Sequence, residues 1–87
     1  MYVILCYDVG IRRNAKTRKI ARKFLRPVQN SVYEGFITEG KLKKLSSQLE
    51  AVIDPAEDAI VFYKLNTGPD FEKISIGQST QNEDFIL

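Results

Sequence analysis

A single carboxylate, Asp8, stands directly before the most basic stretch of the chain. Eight of the thirteen Lys and Arg residues lie in residues 12–26, and residues 9–33 contain no Asp or Glu. A cationic element of this density is typical of a surface that meets an anionic partner. Asp8 ends an apolar run, a position that suits either a metal ligand or a turn-forming residue beside Gly10.

The basic stretch predicts contacts with a phosphate backbone. Neutralised phosphates release their counterions, so binding of this kind weakens as salt rises. Little in the chain indicates readout of base edges. The alternative interpretation is a basic face that is merely solvated. The residues predicted to contact nucleic acid are Arg12, Arg13, Lys16, Lys19, Arg22 and Lys23.

Length and composition narrow the classes of protein that remain. The 87 residues form one domain with little core, which favours a dimer that buries more apolar surface. Residues 1–33 have a net charge of +7 and residues 34–87 a net charge of −5, so a basic surface is set against an acidic one. Because the chain has no histidine, catalysis by histidine and metal binding by histidine are excluded.

Cellular location is predicted from what the chain lacks. Its one cysteine, Cys6, lies in an apolar run and is interpreted as a small core residue. No segment reaches the ~20 apolar residues of a membrane-spanning helix, and the N-terminus has no signal-peptide pattern. We therefore expect a cytoplasmic protein with no membrane partner.

The basic residues must be positioned by a helix. At ~100° per residue, the apolar residues between 17 and 25 fall on one side of a helix over residues 12–26. The basic residues occupy the other side, except that Arg13 points toward the apolar edge. Pro27 is expected to end this helix, because proline cannot continue the hydrogen-bond ladder.

The remaining elements are predicted from their apolar periodicity. Residues 2–8 predict a strand buried on both faces, and residues 28–38 one strand with a bulge or close backbone approach at Gly35. A second amphipathic helix spans residues 41–52, a third strand residues 59–65, and an edge strand residues 73–77. Tyr7, Tyr33 and Phe36 are interpreted as core aromatics, and Asn30 and Ser31 as cross-strand hydrogen-bonding residues.

This order of elements predicts an α+β, ferredoxin-like fold. The domain is predicted to span residues 1–77. Residues 78–87 would form a linker and a short C-terminal strand, because residues 85–87 are apolar and would be a liability if exposed. That strand would pair with a sheet edge of the same chain or of a partner subunit.

Three segments resemble the small CRISPR-associated endonuclease family, the non-integrase core subunit of the spacer-acquisition complex. They are Tyr-Asp-Val at residues 7–9, the run from Val28 to Gly35, and residues 58–65 followed by Ile76-Gly77. The resemblance implies a ferredoxin-like homodimer with an exchanged C-terminal strand. It also implies that Asp8 is a catalytic residue and a ligand of Mg²⁺ or Mn²⁺, which would activate water for attack on a phosphodiester.

Three functions follow as hypotheses. The first is a homodimeric CRISPR adaptation protein that binds nucleic acid, either duplex DNA or RNA, and bridges the larger integrase subunits during spacer acquisition. The second is a metal-dependent endonuclease that hydrolyses RNA or DNA with Asp8. The third is a small regulatory dimer that binds a metabolite, which would not need eight basic residues in one stretch.

Overall fold

The computed structural model describes residues 1–65 and 71–78. The predicted C-terminal strand therefore lies outside the described residues. The elements, in chain order, are β1 (Tyr2–Asp8), α1 (Ile11–Phe24), β2 (Arg26–Gln29), β3 (Val32–Phe36), α2 (Glu39–Val52), β4 (Ala59–Leu65) and β5 (Phe71–Gly77).

The described strands form one antiparallel sheet in the order β2-β3-β1-β4-β5. The first six elements give the complete βαββαβ unit of a ferredoxin-like fold, and β5 extends the sheet beside β4. The predicted α+β class and the central position of β1 are therefore confirmed. Because β1 pairs with β3 on one side and β4 on the other, Asp8 ends up opposite Ala59.

The prediction of one strand over residues 28–38 was wrong, because this segment contains a hairpin turn. β2 and β3 pair antiparallel around Asn30 and Ser31, and Ser31 has a φ of 64°. Asn and Ser favour such turns because their side chains hydrogen-bond nearby backbone groups. The alternation of Val28, Val32 and Phe36 continues across the turn and hides it.

The end of α1 also differs from the prediction. Leu25 is already extended, so the helix stops before Pro27, which lies in β2. A residue before proline avoids the helical region, which places the boundary upstream of the proline itself. The strand irregularity falls between Pro27 and Gln29, whereas a Cβ on Gly35 would come within 3.3 Å of Leu25 Cδ2. The close approach at Gly35 is thus confirmed and the bulge there is not.

Both helices pack on one face of the sheet. α2 begins two residues earlier than predicted because the Thr38 hydroxyl caps it by accepting a hydrogen bond from Lys41 N at 3.2 Å. The predicted amphipathic character of α2 is confirmed, because its three buried residues are leucines. The core includes Val3, Leu5, Tyr7, Tyr33, Ile60 and Phe62 from the strands, and Ala21, Leu42, Leu45 and Leu49 from the helices.

The opposite face of the sheet is covered by neither α1 nor α2, and we call it the open face. Strand alternation places Ile4 and Asp8 on it, together with two aromatic pairs. Tyr2 meets Phe36 edge to face, with ring centroids 4.8 Å apart, and Tyr63 lies 5.7 Å from Phe71. Phe36 is 81% exposed, so its prediction as a core residue was wrong, whereas Tyr7 and Tyr33 are buried as predicted.

Candidate nucleic-acid interface

Helix α1 presents four cations in a single line along its exposed surface. Arg12, Lys16, Lys19 and Lys23 follow one another at spacings of four, three and four residues, which places them on one face of a helix. All four side chains are exposed. We call this line the outer stripe. It contains four of the six residues predicted to contact nucleic acid, and the fold places them side by side.

A second line of polar residues runs along the flank of α1 that faces the β2–β3 hairpin. Asn14, Arg18 and Arg22 follow one another at spacings of four residues, and we call them the inner stripe. Arg22 was among the predicted contacts. Arg18 was not, although its helical spacing from Arg22 was visible in the sequence.

Arg13 lies on neither stripe. Its guanidinium donates hydrogen bonds from Nε to Asp58 Oδ2 at 2.5 Å and from Nη2 to Asp58 Oδ1 at 2.9 Å. The predicted orientation toward the apolar edge of α1 is confirmed. The prediction that Arg13 contacts nucleic acid stays untested, but its charge is already paired within the fold.

Asp58 is the buried end of this ion pair and a structural centre that the sequence analysis missed. Its carboxylate also accepts hydrogen bonds from Gly10 N at 2.9 Å and from Asp54 N at 2.8 Å, so four N–H groups meet two oxygens. The bonds from Arg13 hold the pKa of Asp58 at about 2, although burial acts in the opposite direction. We call this group the Asp58 clasp.

The clasp fixes the loop that follows Asp8. Gly10 N binds Asp58 directly, and a Cβ on Gly10 would lie 2.6 Å from Arg13 Nη2. Glycine therefore leaves the guanidinium room to reach its carboxylate. Since Asp58 immediately precedes β4, the clasp joins the start of α1 to the strand that pairs with β1.

The charges of both stripes are not neutralised within the described part of the chain. Across residues 1–65 and 71–78, ion pairs within 4 Å involve Arg13, Arg26 and Lys64, and Arg13 is the only one of these in α1. Several acids of the second half serve as the partners: Glu34, Glu39, Glu57, Asp58 and Glu72. Arg22 and Lys23 lie in the last turn of α1, where the negative end of the helix dipole favours positive charge.

Asp8 is exposed at the end of β1 and lies on the open face. Within residues 1–65 and 71–78 no group of three or more potential ligand residues could hold a metal ion. Among these residues Asp8 would supply one oxygen ligand of a Mg²⁺ ion, and water or phosphate would supply most of the other five. A second Asp8 from another copy of the chain would add one carboxylate.

The remaining reactive side chains of β1 are core residues. Burial raises the pKa of the Cys6 thiol to about 11, so the thiolate that reacts with oxidants and metals is disfavoured. Burial, and then a hydrogen bond with Tyr33, raise the pKa of Tyr7 well above its usual range. The Ser31 carbonyl accepts a hydrogen bond from Tyr7 N at 3.0 Å, so the hairpin turn is anchored to β1.

The fold and the cationic helix together define a small ferredoxin-like protein with an electropositive α1 surface. None of the helices in the described ranges is long and apolar enough to cross a membrane. The family model for CRISPR associated protein Cas2 matches residues 1–73, and the chain belongs to this family.

Relatives with names and solved structures agree with this assignment. The chain is 43% identical to the CRISPR-associated endoribonuclease Cas2 of Thermotoga maritima, over 100% of both chains. It is 36% identical to the Pyrococcus furiosus protein of the same name, over 95% of this chain and 98% of that one. The crystal structure of Streptococcus pyogenes Cas2 matches with a TM-score of 0.71 and 30% identity, covering 78% of this chain and 89% of that chain.

Proposed function

We propose that this Cas2 family member is a cytoplasmic, homodimeric CRISPR adaptation protein that binds nucleic acid along α1. The observation that carries the proposal is the outer stripe, four exposed cations in line with no acid interleaved. A line of point charges along a helix suits the phosphates of a backbone. Duplex DNA is the proposed ligand, with RNA as the alternative nucleic acid.

The test is a salt titration of duplex DNA binding by the wild-type protein. Four phosphate contacts give a slope of about −3 to −4 in log affinity against log salt. Fluorescence anisotropy with a labelled blunt duplex measures this slope directly. An affinity that does not change with salt would show that the basic face is only solvated, and the proposal would fail.

The open face supports the homodimer. It exposes Phe36 and Phe71 beside their aromatic partners, and exposed aromatic clusters of this kind mark interaction surfaces. A two-fold axis through this face would bring the two Asp8 ends of the sheets into one assembly and duplicate α1. The two equivalent sides of such a dimer would each offer a binding surface, which supports a bridge between integrase subunits in spacer acquisition.

We expect Phe36→Glu to raise the dissociation constant of the dimer at least about 100-fold. Each copy would lose a buried aromatic worth roughly 1.5–3 kcal/mol, and each would gain a charge at the interface. Analytical ultracentrifugation over a concentration series measures the shift. Ile11→Glu is the matched control, because Ile11 is 90% exposed on α1, away from the open face. Equal dissociation constants for Phe36→Glu and the wild type would place the dimer interface elsewhere.

The second candidate function is a metal-dependent endonuclease. It is favoured by the relatives from Thermotoga maritima and Pyrococcus furiosus, which are named as endoribonucleases. In this reading the exposed Asp8 carboxylates of two copies would together hold Mg²⁺ or Mn²⁺ on the open face. The outer stripe would hold the RNA or DNA substrate in either function.

We expect Asp8→Asn to abolish cleavage while duplex binding stays within about twofold of the wild type. Asp8 lies on the open face and the outer stripe lies on α1, so the two functions use different surfaces. Cleavage of labelled RNA and DNA with Mg²⁺ or Mn²⁺, run beside the anisotropy assay, separates them. Undiminished cleavage by Asp8→Asn would rule out Asp8 as the catalytic residue.

A further inference from the structure

A cleft of about 770 Å³ lies between α1 and the β2–β3 hairpin, on the helix side of the sheet. Its volume is within the ~300–1,000 Å³ range of pockets that hold small ligands. One wall is the inner stripe, with Asn14, Arg18 and Arg22. The other wall is the hairpin, whose Gln29 and Asn30 side chains are exposed.

The chemistry of the walls suits a phosphate and a base together. Arg18 and Arg22 bring two guanidinium groups to one side, and among the described residues no carboxylate lines the cleft to neutralise them. Guanidinium groups bind phosphate oxygens through paired hydrogen bonds. Gln29 and Asn30 carry amides, which donate and accept hydrogen bonds as the edge of a base requires.

The floor of the cleft is aromatic. Tyr7 and Tyr33 both line it, with ring centroids 6.0 Å apart and planes inclined by 20°. Both side chains are buried in the core, which fixes the rings at the bottom of the cleft. Because the two rings are only 2% and 3% exposed, they close the bottom of the cleft without offering an open face for stacking, so the two walls provide the contacts to a bound base.

The cleft is also continuous with the outer stripe. A smaller groove of about 340 Å³ lies on α1 itself and is lined by Ala15, Arg18, Lys19 and Arg22. It therefore shares Arg18 and Arg22 with the cleft and Lys19 with the outer stripe. A strand whose phosphates follow the outer stripe would reach the cleft across the small side chain of Ala15.

The geometry points to a site for one unpaired nucleotide, with its phosphate held by Arg18 and Arg22 and its base between the inner stripe and the hairpin. A cleft of about 770 Å³ has the volume of a small-ligand pocket, which suits one nucleotide and not a base pair with both of its strands. This site rests on the proposed binding of nucleic acid along α1. It adds that the protein recognises a single-stranded extension or an unpaired end beside a duplex.

The test compares a short blunt DNA duplex with the same duplex bearing a single-stranded extension. We expect the wild type to bind the extended duplex about tenfold more tightly, because the walls of the cleft hydrogen-bond the added nucleotide. Gln29→Ala and Asn14→Phe should reduce this preference to about twofold or less, with affinity for the blunt duplex unchanged. Both variants keep the net charge, so the salt-dependent contribution to binding stays constant.

The second measurement repeats the comparison of the two duplexes with Arg18→Gln. Lys44→Gln on α2 is its control. Both remove one positive charge, and we expect only Arg18→Gln to lower the preference for the extended duplex. A 2-aminopurine base at the first unpaired position of the extension reports whether that base enters the cleft. Its fluorescence should change on binding to the wild type but not on binding to Asn14→Phe.

Two different failures can be told apart. If the blunt duplex binds with the expected salt slope and the extension adds nothing, the unpaired-nucleotide site is overturned and the proposed function stands. If neither probe binds, or binding does not depend on salt, both are overturned. A preference that persists unchanged in Gln29→Ala, Asn14→Phe and Arg18→Gln places the unpaired nucleotide outside the cleft and equally overturns the site.

Discussion

Replacing Lys16, Lys19 and Lys23 together with glutamine is expected to lower the affinity for duplex DNA about 500-fold at roughly 0.1 M salt. The three lysines are exposed members of the outer stripe and form no ion pair within the residues that the structure describes. Each is therefore free to neutralise a phosphate. Each lost contact removes the release of about one counterion, which is worth somewhat less than tenfold in affinity at this salt.

The slope of log affinity against log salt should become less negative by about 3 in the same variant, since each phosphate contact contributes about 0.9. This second measurement matters because a misfolded variant would lose affinity without a proportionate change in slope. Anisotropy titrations at several salt concentrations give both quantities from one set of samples. Glutamine suits the helix nearly as well as lysine, so α1 should persist.

Helix α2 offers a matched control. Lys41, Lys43 and Lys44 are also three exposed lysines on a helix, and their replacement by glutamine changes the net charge by the same amount. We expect this control to lower the affinity less than about threefold. If the two triple variants weaken binding equally, the protein responds to net charge alone and the outer stripe is not the interface.

The outer stripe could be predicted from the sequence because it depends only on local periodicity. Helical spacing fixes which side chains of α1 lie together, whatever the rest of the chain does. The same reasoning found the buried leucines of α2 and the central strand β1. It also separated Arg13 from the other basic residues, although it did not reveal the partner.

The hairpin and the open face could not be predicted in the same way. The alternating apolar residues on either side of Asn30 and Ser31 predict one strand, because a two-residue turn preserves the alternation. Whether Phe36 is core or surface depends on which face of the sheet the helices cover. Packing between segments that are distant in sequence decides which face is covered, and the local pattern of apolar residues does not show it.

The Asp58 clasp was missed because its contacts are distant in sequence. Arg13 and Asp58 are separated by 45 positions, and Gly10 and Asp58 by 48. In the sequence, Asp58 is one acid among several between α2 and β4. Two features of the sequence pointed to a buried partner of Arg13: its position on the apolar side of the helix, and Gly10, which leaves space for its side chain. Neither feature identifies which carboxylate is the partner.

The substitution Asp58→Asn is expected to lower the free energy of unfolding by about 3 kcal/mol near neutral pH. The carboxylate accepts four N–H groups, two at each oxygen. An asparagine has one acceptor oxygen, so in either orientation its own NH₂ group faces two donors. Arg13 also loses its buried counter-charge, and removing one member of such a pair leaves the other uncompensated.

The pH dependence gives this prediction a specific signature. The pKa of Asp58 is lowered from 3.8 to about 2 in the folded protein, so its ionised form is favoured by folding. The stability that it contributes is therefore fully present above pH 4 and is lost as the pH falls through about 2. The wild type and Asp58→Asn should differ most near neutral pH and converge below pH 4.

Urea denaturation at pH 7 and pH 3, at one fixed protein concentration, measures both effects, because dimer formation would make stability depend on concentration. Glu57→Gln is the matched control. Glu57 lies 3.9 Å from Arg13, but its side chain is 70% exposed, so we expect a loss below about 1 kcal/mol. A difference between wild type and Asp58→Asn that is the same at both pH values would mean that a property other than the charge of Asp58 stabilises the loop after Asp8.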